Sequence, residues 1–296
     1  MMEQLDSGLS LMKAPTRDFA IHYTTYRENV FFRQTWERRI AIFEDGIPCY
    51  WLIHEGKRIG GVCVEPNLLW ALYLEPPFTD MHRVVGVLKR YLMKVSNKDE
   101  PIEVIGILPY QEEYFLRLGF KPVEKRRIMI RPTERLQLCK LPDGIVIEPL
   151  KVDHLEEIAL LSFNAYSGVD CIGMPVMNTI EQQRADLEFY FEHTNDELLR
   201  KSSSVVFDKG KGKMVGVCLV SMWEDLPLIA NVAVDPDYRG NGIANNLLKK
   251  SLTMLKEQHE VVRLFVTVGN AAESLYYDLG FLPGLEQITF VLPVRQ

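Results

Sequence analysis

Residues 235–244 read DPDYRGNGIA and directly follow LIANVAV at 228–234. The first run favours a strand, and the sequence after the loop favours a helix with its leucines on one face. Arg239, Gly240 and Gly242 stand at the junction. Glycines allow a backbone to approach an anion closely, and the first amides of a helix lack internal partners at its positive end. The junction therefore predicts a phosphate or pyrophosphate site.

Two common nucleotide-binding motifs fit this junction poorly. A Walker loop would end in Gly-Lys-Ser/Thr, which is missing, and a Rossmann fingerprint would need a third glycine where Asn245 stands. From spacing alone, a tight glycine turn with an incidental arginine explains the stretch equally well.

The chain repeats itself at a separation of 156 to 161 residues. ALYLEPPFTDMHRVVGVLKRYL from Ala71 matches NVAVDPDYRGNGIANNLLKKSL from Asn231, while LRLGFKP matches YDLGFLP and GKRIGGVCV matches GKMVGVCLV. Three matches in the same order predict a duplicated domain. The turn signal PDG at 142–144 separates two domains at 15–135 and 145–296. Hairpins mixed with helices predict an α/β protein with a mixed sheet rather than a pure βαβ array.

Composition excludes several classes of protein. The 296 residues are 47% hydrophobic and 25% charged with a net charge of −6, which is typical of a globular protein without general affinity for nucleic acid or anionic membranes. The N-terminus lacks the pattern of a signal peptide, and no run reaches about 20 apolar residues. Five scattered cysteines and six scattered histidines predict reduced core thiols, a cytosolic (cytoplasmic) location and no metal site.

The segment NVAVDPDYRGNGIANNLL, followed by VTVGNAAESLYYDLGF, resembles the two acetyl-CoA-binding motifs of the GNAT N-acetyltransferase superfamily. That family places Gln/Arg-x-x-Gly-x-Gly/Ala after a strand, and Arg239, Gly242 and Ala244 match it. The resemblance covers the chain from about Ile145 to its end. Together with the internal repeat it predicts two tandem GNAT-like domains, and it implies acetyl-CoA as the cosubstrate.

The resemblance assigns cofactor-binding roles residue by residue. The strand before the loop would splay from its neighbour and pair its backbone with the pantetheine arm, and the loop amides would hold the pyrophosphate. An asparagine would hydrogen-bond the pantetheine. The implied residues are Val232, Ala233, Val234, Arg239, Gly240, Asn241, Gly242, Ile243, Ala244 and Asn270.

The resemblance assigns the acid, and the chemistry of amine attack on a thioester suggests the other catalytic roles. Tyr276 would protonate the departing thiolate, since a tyrosine with a pKa near 10 is protonated at neutral pH. A backbone amide near Val232 would stabilise the oxyanion. Glu224 or Asp225 would accept the proton of the amine, although two acidic residues in a turn are more often simply solvated.

The match departs from the family at one place. The family asparagine often stands seven residues before the tyrosine, whereas Asn270 is six before Tyr276 and Gly269 takes the usual place. The adjacent Tyr277 competes for the acid role, and only one of two neighbours on a helix can face the thioester. An aromatic core residue is the ordinary interpretation of either tyrosine.

The first domain has lost these features. The loop there reads TDMHRV at 79–84, without glycines, and Asp80 adds a charge that would repel pyrophosphate. Phe115 aligns with Tyr276 and cannot donate a proton. We therefore expect a degenerate GNAT-like domain that does not bind acetyl-CoA.

The sequence predicts an N-acetyltransferase that transfers the acetyl group of acetyl-CoA to a primary amine by direct attack. The acceptor is a small molecule or a peptide, and the amphipathic stretch RADLEFYFEH at 184–193 could help to receive it. The alternative is a non-catalytic acyl-CoA-binding or interaction module. Transfer of a longer acyl group is a third option.

Overall fold

The computed structural model describes residues 2–28, 35–43, 48–167 and 179–294. These residues form two compact units, one made of Met1–Arg126 with Leu285–Gln296 and the other of Arg127–Gly284. Each unit contains strands and helices, with both parallel and antiparallel strand pairs. The predicted mixed α/β class is confirmed.

The compact units differ from the sequence repeat at two places. The segment 127–135, which the repeat assigns to the first domain, lies in the second unit, and the segment 285–296 lies in the first unit. The repeat predicts which stretches of sequence were duplicated, whereas the division into compact units depends on which strands pair in the folded chain. The boundaries at 15–135 and 145–296 therefore stay a prediction about the duplication.

The helices and strands are numbered in chain order. Up to residue 132 they are β1 Met2–Gln4, β2 Leu9–Lys13, α1 Thr16–Tyr26, α2 Trp36–Ala41, β3 Cys49–His54, β4 Lys57–Glu65, β5 Leu68–Leu74, α3 Met81–Val95, β6 Ile102–Ile107, α4 Glu112–Arg117 and β7 Lys121–Pro132. After it they are β8 Ile145–Pro149, α5 Leu155–Ala165, α6 Ile180–His193, α7 Glu197–Ser202, β9 Ser204–Asp208, β10 Lys213–Trp223, β11 Leu226–Val234, α8 Ile243–Leu255, β12 Val261–Thr267, α9 Ala272–Asp278 and β13 Leu282–Leu292.

The strand order in the first unit is β1-β2-β3-β4-β5-β6, followed by the part of β13 that belongs to that unit. Neighbouring strands there run antiparallel except β5 and β6, which are parallel. In the second unit the order is β8-β9-β10-β11-β12-β7, and β11 with β12 forms the parallel pair. Each unit thus contains a parallel pair, β5 with β6 in the first unit and β11 with β12 in the second.

Two apolar layers cover the sheet of the second unit. Side chains alternate between the faces of a strand, so successive residues of β10 enter different layers. Cys218 and Val220 pack with α8, whereas Val217 and Leu219 pack with α5 and α6. The leucine face that the sequence predicts for α8 is buried, together with the first residue of the helix: Ile243, Leu247, Leu248, Leu252 and Leu255.

No helix among the described residues is long and apolar enough to cross a membrane. Of the cysteines, Cys49, Cys63 and Cys218 are buried, as predicted, but Cys139 is exposed. Cys171 lies outside the described residues. Cys139 follows the end of β7 in a connection to β8, where no core covers it.

Candidate functional site

The parallel pair β11–β12 opens soon after it begins. Its register covers only Leu228 with Arg263 and Ile229 with Leu264, although both strands continue beyond these residues and are fully described. Strands that continue without pairing leave backbone N–H and C=O groups without ladder partners. The end of β11 therefore presents an open edge.

Alternation decides which backbone groups face that open edge. The Asp235 amide donates to Val215 O at 3.0 Å, and the register pairs Ala233 with Val217 on the same ladder. In an antiparallel ladder every second residue bonds to the neighbouring strand and the residues between point away. Val232 and Val234 therefore turn their N–H and C=O groups to the open edge, while those of Ala233 face β10. Of the three residues predicted to bind pantetheine, two have the required orientation.

The loop that follows β11 delivers the start of α8. Gly240 and Gly242 have φ values of 79° and 75°, and Gly242 is the N-cap of α8. A Cβ on either glycine would meet nothing within 4 Å, so the backbone conformation and not crowding requires glycine. Asn241 braces the loop, since its Nδ2 donates to Tyr238 O at 3.1 Å. Gly240 to Ala244 thus place their amides at the positive end of the helix.

A glycine that the sequence reasoning missed brings α8 against the sheet. A Cβ on Gly216, in β10, would lie 2.8 Å from Ile243 Cγ2 and 3.3 Å from Val206. The first residue of α8 therefore packs directly on the backbone of β10. A glycine inside a strand pattern is a known sign of such a close approach, so the signal was present in GKMVGVCLV.

Arg239 holds the loop to a neighbouring helix. Its Nη2 donates to Ala165 O at 2.8 Å, at the last residue of α5. A cation at the C-terminus of a helix interacts favourably with the carbonyls there. Asp235, at the start of the same loop, is almost completely buried and pairs with Lys213 Nζ at 2.6 Å. Arg239 therefore orders the loop as well as adding charge to it.

Tyr276 lies inside the layer that packs on α8. It is 8% exposed, and its ring makes an edge contact with Phe281 at 5.9 Å between centroids. The same apolar cluster contains Val232, beside the open edge. Burial raises the pKa of Tyr276, and the nearby Cys218 adds to that shift. Its neighbour Tyr277 is 46% exposed, and Arg127 Nη1 donates to its hydroxyl at 3.4 Å.

Asn270 takes a local structural role. Its Oδ1 accepts a hydrogen bond from the Ala272 amide at 2.9 Å, at the start of α9. Gly269, with a φ of 83°, donates its amide to Glu273 Oε2 at 2.9 Å, which closes the same turn. While this turn persists, the carboxamide of Asn270 can offer a ligand its Nδ2 donors and the second lone pair of Oδ1.

Glu224 and Asp225 form the two-residue turn between β10 and β11. Their φ values are 48° and 60°, and Trp223 pairs with Leu226 across the turn, as a type I′ hairpin requires. Val232 lies seven positions after Asp225, about 24 Å along an extended strand. Burial lowers the pKa of Arg263, and the charge of Glu224 partly offsets that shift. The structure thus places both predicted proton acceptors at the opposite end of β11 from Val232.

A polar network that the sequence reasoning missed reaches the open edge. The Tyr166 hydroxyl, one residue beyond α5, lies 2.5 Å from Asn231 Oδ1 and 3.1 Å from Val232 O. Asn231 Nδ2 in turn donates to Ser162 Oγ at 3.1 Å. Nothing in the sequence distinguishes Tyr166 from an ordinary helix-end aromatic, because its partners lie 65 and 66 residues away.

The first unit also has an open strand pair, but a side chain of the chain itself occupies the N-terminus of its helix α3. The register of β5 with β6 covers only Leu68 and Leu69 on β5. Asp80 is the N-cap of α3, and its Oδ1 accepts from the Arg83 amide at 3.1 Å. A carboxylate of the chain itself thus occupies the anion position of that helix. Phe115, aligned with Tyr276, is fully buried and packs on Phe120 and Phe290.

No cluster of three or more metal-ligating side chains occurs within the four described stretches. The polar groups assembled around β11 and α8 are backbone amides, backbone carbonyls, a phenol and carboxamides. Such a set can bind an extended amide-containing chain along the strand edge and an anion at the helix start.

Comparison with known proteins identifies a family for part of the chain. The model of the acetyltransferase (GNAT) family matches residues 175–281, which include the open edge, the glycine loop and Tyr276. A putative [ribosomal protein bS18]-alanine N-acetyltransferase from Bacillus subtilis (strain 168) is 32% identical over 75 residues. The match spans 25% of this chain and 50% of that relative's length.

Solved structures share the architecture over nearly the whole chain. A GCN5-related N-acetyltransferase from Sphaerobacter thermophilus has a TM-score of 0.68 at 16% identity, covering 99% of this chain and 98% of that one. A tandem GNAT protein from the clavulanic acid biosynthesis pathway has a TM-score of 0.56 at 11% identity, with coverage of 97% and 99%. The predicted tandem GNAT-like fold is confirmed.

Proposed function

Because the chain belongs to the GNAT superfamily of acetyltransferases, we propose that it transfers the acetyl group of acetyl-CoA to a primary amine by direct attack. One observation carries the proposal: a single run of chain, 228–244, contains both an open strand edge and a glycine loop at a helix start. The edge suits the amides of a pantetheine arm, and the loop suits a pyrophosphate. The two features occur in the order in which the coenzyme would need them.

The second unit would hold acetyl-CoA through its backbone. Val234 would exchange hydrogen bonds with the pantetheine amides, as an added strand does at a sheet edge, and the Val232 C=O would accept from them, which leaves the Val232 N–H for the oxyanion. The amides from Gly240 to Ala244 would hold the pyrophosphate, with the helix dipole favouring its charge. Asn270 would donate from Nδ2 to the arm. Ala233 would support the edge by pairing with β10.

The chemistry would use the thioester as an acyl donor. The amine nitrogen forms a bond to the carbonyl carbon, and the carbon–sulfur bond then breaks. The Val232 N–H would stabilise the oxyanion that forms between these two events. Tyr276 would donate its proton to the departing sulfur, and its raised pKa keeps that proton on the phenol. The amine would lose its own proton through water, and Glu224 could accept it only over a long path.

Binding of the coenzyme provides the first test. Isothermal titration should give saturable binding of acetyl-CoA to the wild type, and Arg239→Glu and Gly242→Glu should abolish it. These variants place a carboxylate where the pyrophosphate would lie. Absence of binding by the wild type would end the proposal.

An amine panel provides the second test. The relative's name is that of a putative [ribosomal protein bS18]-alanine N-acetyltransferase, so alaninamide joins Nα-acetyllysine amide, spermidine and glucosamine in the panel. Release of free thiol from acetyl-CoA reports transfer to any of them. If acetyl-CoA binds but no amine is acetylated, the alternative of a non-catalytic acyl-CoA-binding module gains support.

A further inference from the structure

We propose that Tyr166 is a positioning residue that orients the Val232 N–H group towards the carbonyl oxygen of the thioester. The inference rests on the proposed function, in which that N–H group stabilises the oxyanion, and it adds the residue that holds the group in place. Its basis is one phenol that contacts both the side chain of Asn231 and the main-chain carbonyl of Val232.

The sheet supports β11 weakly at this point. The register of β10 with β11 shifts after Leu219, which pairs with Asn231. The next pair is Val220 with Ile229, so β11 carries an extra residue there, and such a bulge disrupts the ladder locally. On the other side of β11, the register with β12 ends at Ile229. The direction of the peptide that follows Asn231 therefore depends on contacts from outside the sheet.

Tyr166 supplies such contacts on both sides of that peptide. Its hydroxyl donates towards Asn231 Oδ1, at 2.5 Å, and towards Val232 O, at 3.1 Å. The Asn231 side chain branches from the Cα before the peptide, and the Val232 carbonyl follows the Cα after it. A phenol bound to both restrains the two Cα atoms between which the Val232 N–H group lies. A carbonyl oxygen has two lone pairs, so Val232 O can still accept from the pantetheine arm.

The contacts of Tyr166 are anchored to α5. Asn231 Nδ2 donates to Ser162 Oγ at 3.1 Å, and Ser162 is fully buried. The Tyr166 ring packs against the apolar cluster that α5 and α6 form with β10. Arg239 Nη2 donates to the oxygen of Ala165, the residue before Tyr166. The open edge and the glycine loop are thus both attached to the C-terminal end of α5.

Tyr190 offers a matched control within the same unit. Its hydroxyl lies 3.1 Å from Val220 O and 2.8 Å from Ser203 Oγ, on β10 rather than on the open edge of β11. Tyr190→Phe thus removes a phenol that contacts a strand carbonyl and keeps the ring, as Tyr166→Phe does. A general loss of order would affect both variants, whereas loss of positioning would affect only Tyr166→Phe.

The test observes the bound thioester and needs no amine. Infrared difference spectroscopy with acetyl-CoA isotopically labelled at the carbonyl carbon measures the carbonyl stretch in the complex, which falls when an N–H group donates to the oxygen. We expect a higher frequency in Tyr166→Phe than in the wild type and Tyr190→Phe, with the Kd for acetyl-CoA within about twofold in all three proteins. Tyr166→Phe should also lower kcat by about tenfold or more, a part of the loss that follows removal of an oxyanion donor.

Asn231→Ala provides a second variant of the same network. It should raise the carbonyl frequency in the same direction as Tyr166→Phe, because it removes the contact before the peptide. The double variant should show no larger change than Tyr166→Phe alone, since both substitutions break one network. If Tyr166→Phe does not fold, Asn231→Ala decides in its place.

The outcomes separate the inference from the proposed function. Absence of acetyl-CoA binding by the wild type would overturn the proposed function and the inference with it. Binding with the same carbonyl frequency in the wild type and Tyr166→Phe would overturn the inference alone. A frequency shift of equal size in Tyr190→Phe would also overturn it, because the change would then reflect a general loss of order.

Discussion

Arg239 Nη2 lies 2.8 Å from Ala165 O, so the arginine of the glycine loop caps the helix that precedes Tyr166. The sequence motif suggested that this arginine adds charge for a phosphate. The structure gives it a second role, because the same guanidinium ties the loop to the C-terminal end of α5. Removal of the side chain should therefore affect both the loop and the helix end.

Arg239→Ala should weaken acetyl-CoA binding more than it destabilises the protein. The lost hydrogen bond to a helix C-terminus costs about 1 kcal/mol of unfolding free energy. The freed loop should in addition raise the Kd for acetyl-CoA by at least about tenfold. Titration calorimetry and thermal unfolding on the same samples measure the two effects.

Arg200 is the control for that prediction. Its Nε donates to Thr194 O at 2.8 Å, at the end of α6, so Arg200→Ala removes the same kind of bond elsewhere in the unit. It should lower the unfolding temperature and leave the Kd unchanged. An equal rise in Kd for both variants would contradict a specific role for Arg239.

Gly216→Ala should displace the start of α8. The new methyl group would lie 2.8 Å from Ile243 Cγ2, which is closer than packed atoms approach. Overpacking of this kind costs about 1–3 kcal/mol. We expect the variant to be less stable in urea and to bind acetyl-CoA more weakly. The double variant Gly216→Ala/Ile243→Ala, which removes the crowded side chain, should recover part of the binding. A Kd unchanged by the single variant would show that the loop does not depend on this contact.

The sequence predicted the parts of the site that depend on local chemistry. The glycine loop, the strand before it and the buried face of α8 follow from residue patterns within about twenty positions. Asp80 was predicted to oppose an anion, and it caps the helix where the anion would lie. These features need no knowledge of distant contacts.

The sequence could not predict the parts that depend on pairing across the chain. Which of Val232, Ala233 and Val234 face the open edge depends on a ladder bond between Asp235 and Val215. Tyr166 reaches Asn231 only because α5 packs over β11. Glu224 was predicted from its closeness in sequence to the strand, but the hairpin turn puts it at the far end of β11.

Gly242→Ala tests the glycine loop directly, and Gly212→Ala is its matched control. Both glycines have positive φ, 75° and 62°, and a Cβ would meet nothing within 4 Å at either. Each substitution should cost about 1–2 kcal/mol, because an alanine resists this conformation. Only Gly242→Ala should also weaken acetyl-CoA binding, since only that backbone would touch the pyrophosphate. Similar binding by the two variants would exclude the loop as the anion site.

The pH dependence of turnover tests Tyr276 as the acid. Burial raises the pKa of Tyr276 above its ordinary value of 10, so the phenol keeps its proton throughout the neutral and mildly alkaline range. The kcat should rise as the amine loses its proton and should not fall before about pH 10. Tyr276→Phe should lower kcat by about 10²-fold or more without changing the Kd for acetyl-CoA. A kcat within about twofold of the wild type would make the acid assignment wrong.

The first unit should not bind acetyl-CoA, so titration should give one molecule per chain. Asp80 occupies the N-terminus of α3, and Phe115 stands where the second unit has Tyr276. Gly242→Glu should consequently abolish all binding rather than half of it. Asp80→Ala should cost about 1 kcal/mol of stability through the lost cap and should not create a second site, because the loop still lacks its glycines. A stoichiometry of two would contradict the prediction, and binding that survives Gly242→Glu would place a site outside the glycine loop.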